Sequence, residues 1–419
     1  MSASAIDVED GGAHAIGRDA VQGDAVHGDA VPRDAVDSVR SRVRLLLLTD
    51  TSVASAGGSE RFLRNLVSLL PQDRYDITLV QLTAGDDHGA LQPLFDIDRV
   101  ALHKLPIGAI YGPRGWRALR ALRVMAHEQR FDIVQSQHEK SDLLNALLPR
   151  VRSGIRISNR RDMGFNKSSK LKWLFRFLNH RFDSVIAPAQ QILGGLARSE
   201  SLEIERMLWI PNGVDTQRFH VMDAAARTQA RRALGIDEDA VVFGCLASLT
   251  PVKCHQDLIV AFAEVRAQIS DARLLLIGDG PLRSEVETHI ATLGLQEAVA
   301  LLGDRSDIES ILPALDVGLL TSSTEGMSNA ILEMMACGLP VIATAVGGNL
   351  QLVQPDITGF LVPPHRPKAL AEAMIALAQS PVTRRQLGDA ARARIEREFS
   401  LASMVHAFDQ LYCRLLGHA

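Results

Sequence analysis

From Val43 onward the chain alternates short apolar runs of four to eight residues with longer amphipathic stretches, and this rhythm narrows the fold more than any other feature. Apolar runs at 43–49, 76–82, 100–105, 132–136, 155–159 and 184–188 read as buried strands. Between them, stretches at 59–70, 116–128, 141–148, 170–180 and 190–199 carry helical periodicity, with Phe62, Leu63, Leu66, Val67 and Leu70 on one face of the first. Strands alternating with helices in this way are βαβ units on a parallel sheet, an α/β fold. The turn-rich Ile210-Pro211-Asn212-Gly213-Val214-Asp215 interrupts the rhythm, which then restarts. Strands at 241–246, 273–277, 299–302, 317–321, 341–344 and 360–362 alternate with helices at 255–269, 282–293, 307–312 and 328–336. Residues 367–417 read as largely helical. The expected organisation is a tail over 1–41, one βαβ domain over 42–212, a second over 213–395, and a terminal helical segment over 396–419.

The tail stands apart. It holds four tandem five-residue units, each with an Asp-Ala-Val core, between Arg18 and Asp37. A period of five fits neither helix nor strand, and one Val per unit buries too little to offset the ordering entropy, so the segment is expected to be disordered.

A chain of 419 residues with a formal net charge of -4 lacks the basic excess of most nucleic-acid binders, so no nucleic-acid partner is expected. Its four cysteines, Cys245, Cys254, Cys337 and Cys413, show neither C-x-x-C pairing nor zinc spacing, as in a reduced intracellular protein. No apolar run reaches the ~18 residues of a transmembrane helix, and the first forty residues are polar rather than signal-like. A soluble, cytoplasmic protein is the expectation.

In open parallel sheets ligands bind beyond the carboxyl ends of the strands, where turns and helix N-termini present free amides. Three such places carry candidate chemistry. The first is Ser322 to Glu333, which follows a strand and opens a helix with Ser328 as a natural N-cap. Gly326 allows a sharp turn, and amides over Gly326, Met327, Ser328 and Asn329 can cradle an anion. Glu325 and Glu333 would repel phosphate, so their chemistry is to accept hydrogen bonds from sugar or ribose hydroxyls; an acidic loop and a solvated helix Glu account for them equally well if they stand alone. The second is Gly57-Gly58-Ser59-Glu60, neither a dinucleotide fingerprint nor a P-loop. There the glycines let a phosphate approach the helix, or simply form a tight turn with Glu60 complementing the dipole. The third is Lys253, a cation placed to neutralise a diphosphate or an ordinary surface lysine.

Together these residues carry a resemblance. Glu325-Gly-Met-Ser-Asn-Ala-Ile-Leu-Glu333 is an E-x7-E element, accompanied by Ile-Pro-Asn-Gly-Val-Asp at 210–215, Leu-Leu-Ile-Gly-Asp-Gly-Pro-Leu at 275–282 and Gly347-Gly348. From about Val43 to the C-terminus the chain resembles the family 4 glycosyltransferases of GT-B fold, retaining enzymes that use sugar nucleotides. Arg160-Arg161-Asp162-Met163-Gly164-Phe165 is similar to members that build bacterial exopolysaccharide or lipopolysaccharide. The resemblance implies two Rossmann-like domains facing a central cleft, with the C-terminal helix crossing back to the first. It implies that Glu333 holds the ribose and that Glu325 contacts the donor sugar. Lys253 and the amides near Gly326–Asn329 would meet the diphosphate, and Gly57 and Gly58 would let the N-terminal domain close over it. UDP, the commonest family donor, is the expected nucleotide. No cofactor and no metal are expected, and the acceptor is a glycan or a lipid-linked sugar.

Two positions depart from the family. Ser248 stands where many members carry Arg, which leaves one cation fewer unless Arg160 or Arg161 reaches in. Gln137 stands where many carry His; His138 is adjacent, an active-site candidate or a loop histidine, although neighbouring side chains of a strand point oppositely. Asp96-Ile97-Asp98 and Asp237-Glu238-Asp239 match the metal-binding D-x-D of another transferase class and are read as coincidental. A sugar-nucleotide 2-epimerase, a phosphorylase of the same architecture and a non-catalytic binding subunit are the alternatives. Finally, 170–181 is basic and apolar. It reads as a core helix through Leu174 and Leu178, with a basic face left open for peripheral contact with the inner membrane surface.

Overall fold

The computed structural model describes residues 42–54, 57–83, 100–108, 112–150, 154–161 and 169–417. The repeat tail and Asp96-Ile97-Asp98 lie outside the described residues, as does the Asp162–Phe165 part of the exopolysaccharide-type stretch.

Seven strands form the first sheet: β1 (Val43–Thr49), β2 (Tyr75–Gln81), β3 (Val100–Lys104), β4 (Ile133–Ser136), β5 (Ile155–Asn159), β6 (Ser184–Ala187) and β7 (Met207–Trp209). They lie in the order β3-β2-β1-β4-β5-β6-β7, every neighbouring pair parallel. Six more form the second: β8 (Val242–Leu246), β9 (Arg273–Ile277), β10 (Val299–Gly303), β11 (Val317–Leu320), β12 (Val341–Thr344) and β13 (Gly359–Val362), ordered β10-β9-β8-β11-β12-β13 and again all parallel. Helices cover both faces, so the central strands must be apolar on both sides. Leu45–Leu48 and Leu274–Ile277 are accordingly unbroken aliphatic runs, buried throughout.

In each sheet the strand order reverses once, between β1 and β4 and between β8 and β11. The connections leaving those two strands diverge to opposite faces and open a crevice at the carboxyl edge. The loops following β1, β4, β8 and β11 are therefore where side chains can converge.

The chain passes between the sheets twice, and the two crossings are hydrogen-bonded to each other. Val214 N donates to Phe399 O at 2.8 Å and Leu401 N to Val214 O at 3.0 Å. A Cβ on Gly213 would stand 2.7 Å from Ser400 O, so only glycine admits this close pairing. Helix Leu401–Leu416, capped by Ser400 accepting from Ser403 N, then returns to the first sheet. There Phe408 packs on Phe62 at 5.4 Å between ring centroids, Tyr412 Oη donates to Gln135 Oε1 at 2.9 Å, and Asp409 accepts from Tyr75 Oη at 2.6 Å.

Several elements depart from the sequence reading. Strand β7 is only three residues long, and helix Ala224–Ala233 is too polar and alanine-rich to show an apolar stripe. The segment after 367 is three helices, Pro367–Gln379, Pro381–Glu398 and Leu401–Leu416, broken at Ser380 and Ser400. In helix Ser169–Leu178 the buried residue is Phe175; Leu174 and Leu178 are half-buried rather than core.

Candidate active site

Helix Asn329–Ala336 is the centre of the site. Ser328 Oγ accepts from Ile331 N at 3.3 Å, which fixes the helix start. The first turn then points its free amides and the positive end of its dipole toward the cleft. The loop before it is held by Gly347-Gly348. Gly348 N donates to Gly326 O at 2.9 Å, and a Cβ on Gly347, whose φ is +53°, would lie 1.6 Å from Glu325 O. Gly278 and Gly280 play the same part under the loop after β8, where added Cβ atoms would meet Ala247 O at 2.3 Å and Leu249 O at 2.5 Å. The glycines of the 275–282 and 347–348 motifs thus support the two loops of the second switch point.

Glu325 and Glu333 have different partners. Glu325, on the loop, pairs with Lys253 and accepts from Ser322 Oγ at 3.3 Å. Lys253 is set by the turn Pro251–Lys253, which is stitched to the next loop: Thr321 Oγ1 donates to Lys253 O at 2.8 Å and Ser323 N to Val252 O at 2.8 Å. Glu333, one turn into the helix, faces a cavity of about 740 Å³ lined from both halves by Gly58, Arg61, Asn212, Arg218, Asp304 and Asn329 among others. Its carboxyl is pushed above the usual range by burial, and Arg61, reaching across from helix Gly58–Leu69, pulls it back only in part. Lys253 and Glu325 do not line that cavity; they close on each other at the far end of the loop.

The two halves also meet at Asn329. A Cβ on Gly58 would stand 3.2 Å from Asn329 Nδ2, and Asn212 Nδ2 donates to Asn329 Oδ1 at 2.9 Å. Gly57 precedes the helix as its extended N-cap and packs over the Glu60 carboxylate. Arg161 joins this cluster: its Nη2 donates to Asn212 Oδ1 at 2.6 Å and its guanidinium lies 3.9 Å from the Phe62 ring centroid. Burial lowers its pKa to about 9, with the Glu60 charge only partly offsetting, and among the described residues no carboxylate lies within ion-pair distance of it. Arg160 is different. It is buried between Asp142 at 2.9 Å and Glu200 at 3.3 Å, with Asn179 and Ser158 accepting from the same guanidinium, so its charge is spent inside the first half. Of the two arginines named as replacements for the cation missing at Ser248, Arg161 is the one that reaches the cleft.

Gln137 and His138 follow β4 in the loop before helix Glu139–Leu147 and have different surroundings. Gln137 is buried and accepts from Asn159 Nδ2 at 3.1 Å, inside the sheet. His138 heads helix Glu139–Leu147, and its Nδ1 is buried without a hydrogen-bond partner among the described residues. Asp50, beyond β1, accepts from Lys140 N at 2.8 Å and Ser141 N at 2.7 Å, tying the first switch point together. Asp237-Glu238-Asp239 lies before β8, on the opposite edge of its sheet from these loops, with its carbonyls bonded to Arg231.

Sequence reasoning missed Arg61 and Asp50, because both act through partners distant in the chain. It found Arg161 only as one of two possibilities; a cation next to a buried Phe62 carries no local signal.

Comparison with known proteins matches this architecture. Residues 226–394 match the model for glycosyl transferases group 1, and residues 56–218 match the model for glycosyltransferase family 4. The chain is 27% identical over 380 residues to the Escherichia coli UDP-Gal:alpha-D-GlcNAc-diphosphoundecaprenol alpha-1,3-galactosyltransferase, covering 85% of this chain and 93% of that one. It is 31% identical over 189 residues to the N-acetyl-alpha-D-glucosaminyl L-malate synthase of Bacillus anthracis, covering 45% of this chain but spanning only 49% of that relative's length. The crystal structure of Anabaena HepE in complex with UDP and glucose superposes with a TM-score of 0.76 at 23% identity, over 89% of this chain and all of that one. With both halves matched by adjoining glycosyltransferase models and two facing Rossmann-like sheets, the chain belongs to glycosyltransferase family 4 and has the GT-B fold.

Proposed function

We propose that this glycosyltransferase moves a sugar from a nucleoside diphosphate, UDP before any other, to a hydroxyl of a glycan or lipid-linked acceptor, keeping the anomeric configuration. The observation that carries this is the meeting of a half-buried Arg161, which has no carboxylate within ion-pair distance among the described residues, the N-terminus of helix Asn329–Ala336 and Gly58 at one point of the cleft. Two positive features converge there with only the Glu60 charge partly offsetting them, which suits a diphosphate. The names of relatives support the donor: the E. coli enzyme acts by name on a UDP-sugar and a diphosphoundecaprenol-linked acceptor, and the HepE crystal holds UDP.

In this reading Glu333 exchanges Arg61 for the ribose hydroxyls, and the cavity beside it holds the nucleoside. The amides of Gly326, Met327, Ser328 and Asn329, with Lys253 and Arg161, hold the diphosphate and stabilise charge on the departing phosphate. Glu325 contacts the donor sugar while positioning Lys253. Gly57 and Gly58 allow the first half to approach the phosphates. His138, whose buried Nδ1 has no partner among the described residues, stands on the acceptor side. As charge builds on an oxocarbenium-like sugar and its leaving group, preorganised donors and cations lower the barrier without reorganisation. The leaving phosphate takes the acceptor proton on the same face, and the chemistry uses no metal.

Acceptor access supports a peripheral membrane position on the cytoplasmic side. No helix among the described residues is long and apolar enough to cross a membrane. Helix Ser169–Leu178 instead leaves Trp173 61% and Phe177 54% exposed, their rings 4.6 Å apart, beside Lys170 and Arg176 and with no acidic residue. An aromatic pair in a basic face is the chemistry of an interfacial helix.

The test is a panel of UDP-, GDP- and ADP-sugars with undecaprenyl-diphosphate-linked acceptors, with and without EDTA, followed by NMR of the product anomeric proton. Transfer from one donor with retention, persisting in EDTA and lost in Glu325→Ala, is expected. An epimerised sugar formed without acceptor would move the assignment to an epimerase.

A further inference from the structure

Immediately after the turn that carries Lys253, outside the lining of the cavity beside Glu333, three side chains of metal-ligating type converge. Cys254, Asp257 and His365 each offer an atom, and these atoms all lie within 4.8 Å of one another. Asp257 Oδ2 is 2.9 Å from His365 Nδ1. The residues come from two separate segments, the N-terminal turn of helix His255–Gln268 and the loop after β13.

The backbone is what makes the cluster unusual. Cys254 has φ +50° and His365 φ +55°, the left-handed region that glycine occupies without penalty. Five non-glycine residues among those described adopt positive φ, and two of them are in this one cluster. A side chain in that region costs the fold energy that glycine would avoid. At Cys254 the left-handed backbone closes the Pro251–Lys253 turn, its N–H donating to Pro251 O at 3.2 Å, while its Sγ makes long contacts, 3.6 Å, to Pro251 O and Val252 O; His365 is largely exposed. The thiol and the imidazole are retained at two glycine-type positions that happen to face each other and a carboxylate.

We propose that Cys254, Asp257 and His365 form a three-ligand site for a divalent transition ion, Zn²⁺ by the mixture of sulfur, nitrogen and oxygen donors, with water completing the tetrahedron. Bonds of about 2.0–2.3 Å place tetrahedral ligand atoms roughly 3.5 Å apart, so small side-chain rotations close the site. The ion takes no part in sugar transfer. It ties the loop after β13 to the N-terminus of helix His255–Gln268 and so braces the Pro251–Lys253 turn from outside. The site does not rest on the proposed function and stands whether or not the donor assignment does.

Co²⁺ titration of the purified full chain tests this, read by the thiolate-to-cobalt charge-transfer absorption. One equivalent is expected to bind with that band, to be displaced by Zn²⁺, and to raise the thermal midpoint. Cys254→Gly and His365→Gly are the informative variants, because glycine suits both backbones and each variant folds. Cys254→Gly should abolish the band, His365→Gly should weaken binding at least tenfold, and both should lose the thermal shift; Cys413→Ser should change nothing. Absence of a thiolate band in the parent protein, or Co²⁺ binding equally tight in the two glycine variants, would overturn the proposal.

Discussion

Arg61, on the first helix of one half, and Glu333, in helix Asn329–Ala336 of the other, form an ion pair across the cleft although 272 positions separate them. The carboxylate is 7% exposed and the guanidinium 43%. A carboxylate so buried needs a partner, and here the opposite half supplies one. In the proposed reaction the same carboxylate receives the ribose, so nucleotide entry replaces a half-solvated arginine by two hydroxyls.

That replacement sets the expected behaviour of Arg61→Ala. A pair with one half-exposed member contributes on the order of 1 kcal/mol or less. The variant should therefore bind nucleoside diphosphate within about fivefold of the parent. A larger loss in calorimetric titration would mean that Arg61 itself holds the nucleotide.

The pH dependence of stability follows from Glu333. Burial raises its folded-state pKa above the ordinary carboxylate value, so the folded protein holds that proton more tightly than the unfolded chain. As pH rises from about 4 through the raised value the fold loses stability from this residue, and above it the penalty is constant. Glu333→Gln should thus be more stable than the parent at pH 7, with the advantage shrinking toward zero near pH 4. Chemical denaturation across that range checks it; an advantage that grew on acidification would contradict the sign.

Arg161 should separate stability from function. Burial holds its pKa down and the Glu60 charge offsets this only in part, whereas a diphosphate would supply the missing counter-charge. Arg161→Met is expected to melt at or above the parent temperature while binding nucleoside diphosphate at least tenfold more weakly. A variant that loses stability and keeps its affinity would assign Arg161 a structural task.

For the exposed aromatic pair, co-sedimentation with liposomes rich in anionic lipid gives the readout. Binding should fall as salt rises, and Trp173→Ser with Phe177→Ser should remove it while leaving the melting temperature unchanged. Salt-independent absence from the pellet would end the membrane reading.

What the sequence made legible were features written in contiguous residues. Strands β1, β5, β9 and β12 are apolar runs bounded by polar or turn residues, and their limits agree with the periodicity. Ser328 was recognisable as a cap because capping is a local hydrogen bond. The E-x7-E spacing located both carboxylates but not their partners: one lies in a loop paired with Lys253 and the other faces a cavity paired with Arg61. Pairings of this kind depend on how two sheets face each other, and no local pattern encodes them. Arg160 shows the same limit: beside Arg161 in sequence it looked equally able to meet a phosphate, yet Asp142 and Glu200, 18 positions before it and 40 after, had already taken its charge. The glycines at 347 and 348 were legible as a motif but not as a support, because the atom that forbids a side chain at 347 is the carbonyl of Glu325.

The most direct measurement is a calorimetric titration of UDP, GDP and ADP into the full chain in EDTA, repeated with Glu333→Ala. One nucleoside diphosphate should bind at a single site, and the variant should bind it at least tenfold more weakly, since a charged hydrogen-bond acceptor contributes about 1.5–3 kcal/mol. Equal affinity in parent and variant, or no binding of any of the three, would contradict a donor site built on Glu333.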